Sequence, residues 1–169
     1  MNLRKTGLSR WRAAAFGAVG AVFVAGSAVS AADTPFGPLQ GSWGGTGIVT
    51  YKNGEKERLR CRVQYTQRGP NDLSQALRCA SDSYKFQINA FYKHAGGTLS
   101  GRWSELVMNL NGTITGSLAN GRIDGQLHGP GFVAVVQVVT TGSQQTVDIE
   151  APPDQEITHV AIAVTKGGR

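Results

Sequence analysis

Glu55-Lys56-Glu57-Arg58-Leu59-Arg60-Cys61-Arg62-Val63-Gln64-Tyr65-Thr66, then Gln67-Arg68-Gly69-Pro70-Asn71-Asp72, then Leu73-Ser74-Gln75-Ala76-Leu77-Arg78-Cys79-Ala80, reads in order as strand, turn and strand. Leu59, Cys61, Val63 and Tyr65 alternate with Lys56, Arg58, Arg60, Arg62 and Gln64, the period of two of a half-buried strand. The second run repeats it, with Leu73, Leu77 and Cys79 on one face and Arg78 on the other. Gly69-Pro70-Asn71-Asp72 is turn chemistry on independent grounds. Pairing Cys61 with Cys79 sets Val63 opposite Leu77 and Arg62 opposite Arg78, and centres the connection on Pro70. Two separate signals therefore agree on one hairpin. A disulfide in this register requires the cysteines to be a close, non-hydrogen-bonded pair.

The same grammar extends along the chain. Tyr84, Phe86, Ile88, Ala90 and Tyr92 alternate with Lys85, Gln87 and Asn89. Further strands are expected over residues 101–109, 113–118, 122–128, 132–139, 144–150 and 157–165. Sharp reversals are expected at three Asn-Gly pairs, Asn53-Gly54, Asn111-Gly112 and Asn120-Gly121, the last a type I′ hairpin turn. Gly116 and Gly125, each in mid-strand, predict bends or close backbone approach. An L-x-G-x-W pentad occurs twice, as Leu39–Trp43 and Leu99–Trp103, and reads as two strand starts that each seat a tryptophan at a barrel end. No amphipathic helical stretch and no room for a βαβ crossover are present. The fold expected is all-β, an antiparallel up-and-down meander of about 8–10 strands with one disulfide. Closure into a barrel removes both sheet edges, and a two-sheet β-sandwich is the competing solution.

The ends of the chain bear on compartment. Arg4, Lys5, Arg10 and Arg12 precede an uncharged run from Ala13 to Val29 and then Ser30-Ala31-Ala32, the grammar of a cleaved secretory signal over residues 1–31. Residues 32–40, with Pro35 and Pro38, read as a flexible leader, and residues 41–169 as a single domain. The formal net charge of +6 comes from 17 Lys+Arg and 11 Asp+Glu; four of those cations and no acid precede residue 32, which leaves 13 against 11. Nucleic-acid binding is therefore not implied. Two cysteines in an exported chain predict one disulfide, Cys61–Cys79. A periplasmic or secreted location, with a leader of bacterial type, is the expectation.

Gly41-Ser42-Trp43 at the head of the first strand is similar to the G-x-W motif of the calycin superfamily, whose lipocalin and avidin branches are small barrels that are commonly exported. The resemblance implies a tryptophan plugging one end of an up-and-down barrel, a cation from the last strand (here Lys166) packed over it, and a small, mostly apolar ligand in the barrel mouth. Candidate ligand contacts are Trp43, Tyr65, Tyr84, Phe86, Trp103 and Phe132, each of which could equally be a core filler.

Lys56, Arg58, Arg60, Arg62 and Arg78 form a basic stripe, either a solvated strand face or a contact for an anionic envelope surface. Like charges opposed across a ladder destabilise it by up to ~1 kcal/mol, so Arg62 opposite Arg78 points to an anionic partner, while neighbouring acids and water favour the solvated face. Catalysis finds little support. His94, His128 and His159 lie on separate segments without metal-type spacing, Ser83, Ser100 and Ser104 lack a nucleophile elbow, and Glu105 and Asp124 read as surface carboxylates. No metal or cofactor is expected. The leading expectation is a non-enzymatic exported barrel that binds a small apolar or amphipathic ligand and does not span the membrane after signal cleavage. The alternative is a protein-binding barrel of the bacterial envelope, similar to small metalloprotease inhibitors, which would insert residues 32–39 into an enzyme cleft.

Overall fold

The computed structural model describes residues 34–168; the signal assigned to residues 1–31 lies outside them. A 3₁₀ turn, Gly37–Leu39, leads into ten strands: β1 (Gly41–Tyr51), β2 (Lys56–Gly69), β3 (Asp72–Ala80), β4 (Lys85–Ala95), β5 (Thr98–Glu105), β6 (Leu110–Ala119), β7 (Arg122–Gly129), β8 (Phe132–Thr141), β9 (Gln144–Glu150) and β10 (Ile157–Lys166). Each pairs antiparallel with its neighbours in sequence, and β10 returns to β1, so the sheet closes as a barrel. Closure decides against the sandwich. It pairs both edges and turns one side of every strand into a common core.

The β2–β3 ladder has the register set by the alternation. Cys61 pairs with Cys79, Arg62 with Arg78 and Val63 with Leu77, and the disulfide joins Cα atoms 4.1 Å apart. The register slips by one residue between Gln67 and Gly69, which leaves Pro70-Asn71 as the loop. At Asn120-Gly121 both residues have positive φ, 50° and 75°, as a type I′ turn needs. Gly116 pairs directly with Gly125, and a Cβ on Gly116 would lie 2.3 Å from the Asp124 carbonyl oxygen. Those two glycines permit β6 and β7 to approach closely at this level.

One reversal falls elsewhere. Asn111-Gly112 is inside β6, and the turn is Leu106–Asn109, closed by Asn109 at φ 54°. Asparagine tolerates this left-handed conformation, so it ends the turn without a glycine. Gly112 instead makes room for its neighbours, since a Cβ there would stand 2.6 Å from the Trp103 ring and 2.0 Å from the His128 carbonyl oxygen.

Topology divides the connections between two ends. The β2–β3, β4–β5, β6–β7 and β8–β9 turns share one end with the N-terminal segment. The other five connections ring the opposite end. At the first end Phe36, Leu39 and Trp43 are buried, the Trp43 indole Nε1–H donates to the Leu39 carbonyl at 2.7 Å, and Lys166 Nζ stands 5.5 Å from the indole centroid. Residues 34–40 are therefore part of the barrel, in contrast to the flexible leader expected from their prolines. Phe36 and Leu39 supply the apolar surface that fixes the segment.

Candidate functional site: an apolar cavity behind an open mouth

Inward-facing side chains do not fill the barrel. A cavity of about 430 Å³ extends from Leu39, Tyr65 and Leu73 near the plugged end to Tyr51, Phe132 and Glu156 at the other. Its middle is walled by aliphatic side chains, among them Val63, Leu77, Ile114, Val136 and Ile162. This wall follows from the period of two: each strand contributes every second residue, and those residues are β-branched, leucine or aromatic.

The polar groups on the wall are mostly engaged. The Tyr65 hydroxyl donates to Gln145 Oε1 at 3.0 Å, and the Gln145 amide donates to Thr140 Oγ1 at 2.9 Å. The Tyr92 hydroxyl donates to Gln75 Oε1 at 2.6 Å, and that of Tyr51 to Glu57 Oε2 at 3.0 Å. Burial pushes the Tyr65 and Tyr92 phenols well above their ordinary range. Burial, with the Glu57 hydrogen bond and charge, pushes Tyr51 up to about 12. All three stay neutral at physiological pH.

Among the described residues Glu105 is the one buried carboxylate. It is 5% exposed on the inner face of β5, two residues beyond Trp103, and accepts backbone N–H bonds from Gln87 at 2.9 Å, Val107 at 3.1 Å and Met108 at 2.5 Å. Burial alone would raise its pKa; the N–H groups of Gln87, Met108 and Val107 outweigh it and hold the carboxyl below the usual range. Its surface assignment is thus corrected. Residues 99, 101, 103 and 105 share one parity, a signal that already put Glu105 on the inner face with Trp103.

The sign of that shift predicts a pH effect. A carboxyl depressed by folding stabilises the fold above its unfolded pKa of about 4.3, and the contribution disappears as pH falls through the lower folded value. Acidification is expected to reduce the hydrogen-exchange protection of the Val107 and Met108 amides. In Glu105→Gln this acid-dependent step is expected to vanish. A step of unchanged size in that variant would assign it to another group.

Of the six aromatic candidates, Tyr65, Tyr84, Phe86, Trp103 and Phe132 line the cavity, and Trp43 does not. Trp43 lies third in β1, on the plugged end and held there by Leu39 and Lys166, so it is structural. Trp103, sixth in β5, sits towards the mouth, its ring centroid 6.4 Å from that of Phe132 and its indole N–H donating to the Thr113 carbonyl at 3.2 Å. The two pentads thus start alike and end in different places: Trp103 is wall rather than a second plug. Tyr51, Tyr92 and Met108 also line the cavity and were not singled out in the sequence.

Lys56, Arg58, Arg60, Arg62 and Arg78 all point outward and are exposed. Arg60, Arg62 and Arg78 border a shallow outer depression together with Lys85, over Gly45 and Thr46. Among the described residues the ion pairs within 4.0 Å are Lys93–Asp72 and Arg122–Asp124, and His159 is hydrogen-bonded to Asp148; none of these uses a cation of the stripe. No group of three His, Cys, Asp or Glu residues that could hold a metal ion occurs among the described residues.

No family model matches the sequence, and no curated protein does. Solved structures do share the fold. Rv2717c from M. tuberculosis superposes with a TM-score of 0.60 at 13% identity, over 76% of this chain and 92% of that one. The S-type phycobiliprotein lyase CPES from Guillardia theta gives a TM-score of 0.53 at 11% identity, over 78% and 89%. At such identities the likeness shows the fold alone, a closed antiparallel β-barrel.

Proposed function

We propose that this chain is an exported, non-enzymatic binding barrel that holds a small apolar molecule without a negative charge. The observation that carries the reading is the cavity of about 430 Å³, plugged at one end and apolar along its length. That volume lies within the ~300–1,000 Å³ of small-molecule sites. The lining includes Glu105 and Glu156 but no Lys, Arg or His among the described residues, so a carboxylate drawn inside would find no cation. A neutral molecule, or one whose cationic end remains near Glu156, suits such a wall. Glu105 itself is occupied by three backbone N–H groups, which supports a structural rather than a catalytic carboxylate. The cationic leader sequence and the disulfide support export. An inhibitor that inserts residues 32–39 into an enzyme fits less well, because Phe36 and Leu39 would have to leave the barrel end.

Native mass spectrometry of protein purified from its own host is expected to reveal a retained neutral mass. In titrations, a long-chain alcohol is expected to bind about tenfold more tightly than the acid of equal length, since the acid must leave its charge unpaired or take up a proton. Ala134→Trp, which adds an indole to the cavity wall, is expected to abolish binding of N-phenyl-1-naphthylamine as a neutral probe. Absence of probe binding to the unsubstituted protein, or preference for the acid, overturns the proposal.

A further inference from the structure

Exposed apolar side chains stand near the mouth in two places, Val133 and Val135 at the start of β8 and the β5–β6 turn. In the β5–β6 turn three consecutive apolar side chains are about half exposed: Leu106 at 53%, Val107 at 46% and Met108, which also reaches the cavity wall, at 52%. A turn normally places polar residues there, and contiguous exposed apolar side chains mark contact with something apolar. The turn does not swing freely, because Glu105 accepts the N–H groups of Val107 and Met108, and Leu106 N–H donates to the Gln87 carbonyl at 2.8 Å. The apolar tip is therefore held beside β4.

That placement makes it continuous with the basic stripe. Gln87 pairs with Arg78, and Arg78 with Arg62, so one row across the outer face runs from the two arginines to Leu106. The next row towards the mouth holds Arg60, Ala80 and Lys85. Lys52, Lys56, Arg58, Arg60, Arg62, Arg78 and Lys85 on this side stand against Glu55, Glu57 and Asp82. Of those acids, Glu57 is already engaged by Ser83 and Tyr51. The other side of the barrel carries Asp124, Asp148, Glu150, Asp154 and Glu156 against Arg122, which pairs with Asp124, and Lys166. The basic stripe and the apolar turn thus lie on the same side of the barrel, from β2 to the β5–β6 turn.

We infer that this rim docks on an anionic lipid bilayer, with Leu106 and Val107 entering the interface and Arg60, Arg78 and Lys85 meeting lipid phosphates. A cationic surface with protruding apolar side chains is the composition that binds the boundary between headgroups and acyl chains. A soluble polyanion would use the cations and leave the apolar tip in water. Docked in this way, the mouth opens beside the bilayer, and an apolar molecule can pass between lipid and cavity without crossing water. The docking surface is independent of what the cavity holds; only its purpose rests on the proposed binding function.

The test is co-sedimentation of the purified protein with vesicles of phosphatidylcholine alone or mixed with phosphatidylglycerol, at low and raised salt. Binding is expected to the mixed vesicles only, and to weaken with salt. The variant R60Q/R78Q/K85Q is expected to lose roughly a hundredfold in partitioning, three cations at about fivefold each. L106S/V107S is expected to lose roughly tenfold while keeping the salt dependence. None of these five residues lines the cavity, so retained N-phenyl-1-naphthylamine binding certifies both variants as folded. Equal binding to neutral vesicles, undiminished binding by the charge-neutralised variant, or capture by heparin without any by vesicles overturns the inference. Vesicle binding by a protein whose cavity takes no probe would leave it standing and remove the ligand proposal instead.

Discussion

Trp43→Ala is expected to destabilise the barrel by about 3–5 kcal/mol, the range for removing a fully buried tryptophan side chain. Trp43 is 1% exposed and supports three separate contacts at the plugged end. Its ring fills the space between the strand ends, its N–H satisfies the Leu39 carbonyl, and its face receives the Lys166 ammonium. Alanine leaves the void, orphans the carbonyl and strands Lys166 beside Gly41. Trp43→Phe keeps most of the volume and the aromatic face but orphans the carbonyl, so its cost is expected near 1–3 kcal/mol. Urea denaturation with both variants separates the two contributions. A loss below ~1 kcal/mol for Trp43→Ala would show that the plug closes the barrel without stabilising it.

Removing the disulfide is the second large effect. The pair closes a loop over a sequence separation of 18 residues, and such a cross-link stabilises by ~3 kcal/mol in the chain-entropy treatment. C61A/C79A is therefore expected to lower the unfolding free energy by that amount, read from the urea midpoint and slope. Probe affinity is expected to stay the same, because neither cysteine lines the cavity. Cys61 and Cys79 are already opposite one another in a hydrogen-bonded ladder with continuous pairing on both sides, so the bond restricts the unfolded chain far more than it shapes the folded one. A large loss of probe affinity in C61A/C79A would show instead that the bond holds the wall in place.

Much of the architecture was legible because the information is local. A period of two selects strands, Gly69-Pro70-Asn71-Asp72 and Asn120-Gly121 specify their turns, and two cysteines at matching parity set one register. Where local chemistry has two uses, local reading failed. Asn-Gly at 111–112 has turn composition, yet the glycine is required where β6 passes the Trp103 ring, and the neighbouring asparagine at 109 makes the turn. Pro35 and Pro38 suggest an irregular leader, yet Phe36 and Leu39 beside them fasten the segment into the barrel end.

For the site, alternation along each strand was enough to say which side chains face inward, since parity is independent of everything far away. Parity placed Tyr65, Tyr84, Phe86 and Trp103 inside, and the same parity applied to Glu105; residues 132–139 are apolar on both faces, so Phe132 was placed only by the closed barrel. It also put five cations on the outside. Whether those inner faces meet in a packed core or stand back around a cavity depends on the closed barrel and on nothing shorter. Ten strands closing through β1 and β10 set a circumference, and that circumference exceeds what the inward side chains fill. The register between neighbouring strands likewise sets Leu106 beside Gln87, one strand from Arg78, and leaves Trp43 and Trp103 at different levels. Alternation fixes the face of each residue; strand number and stagger fix the radius and height at which it stands, and these are properties of the closed sheet rather than of any segment.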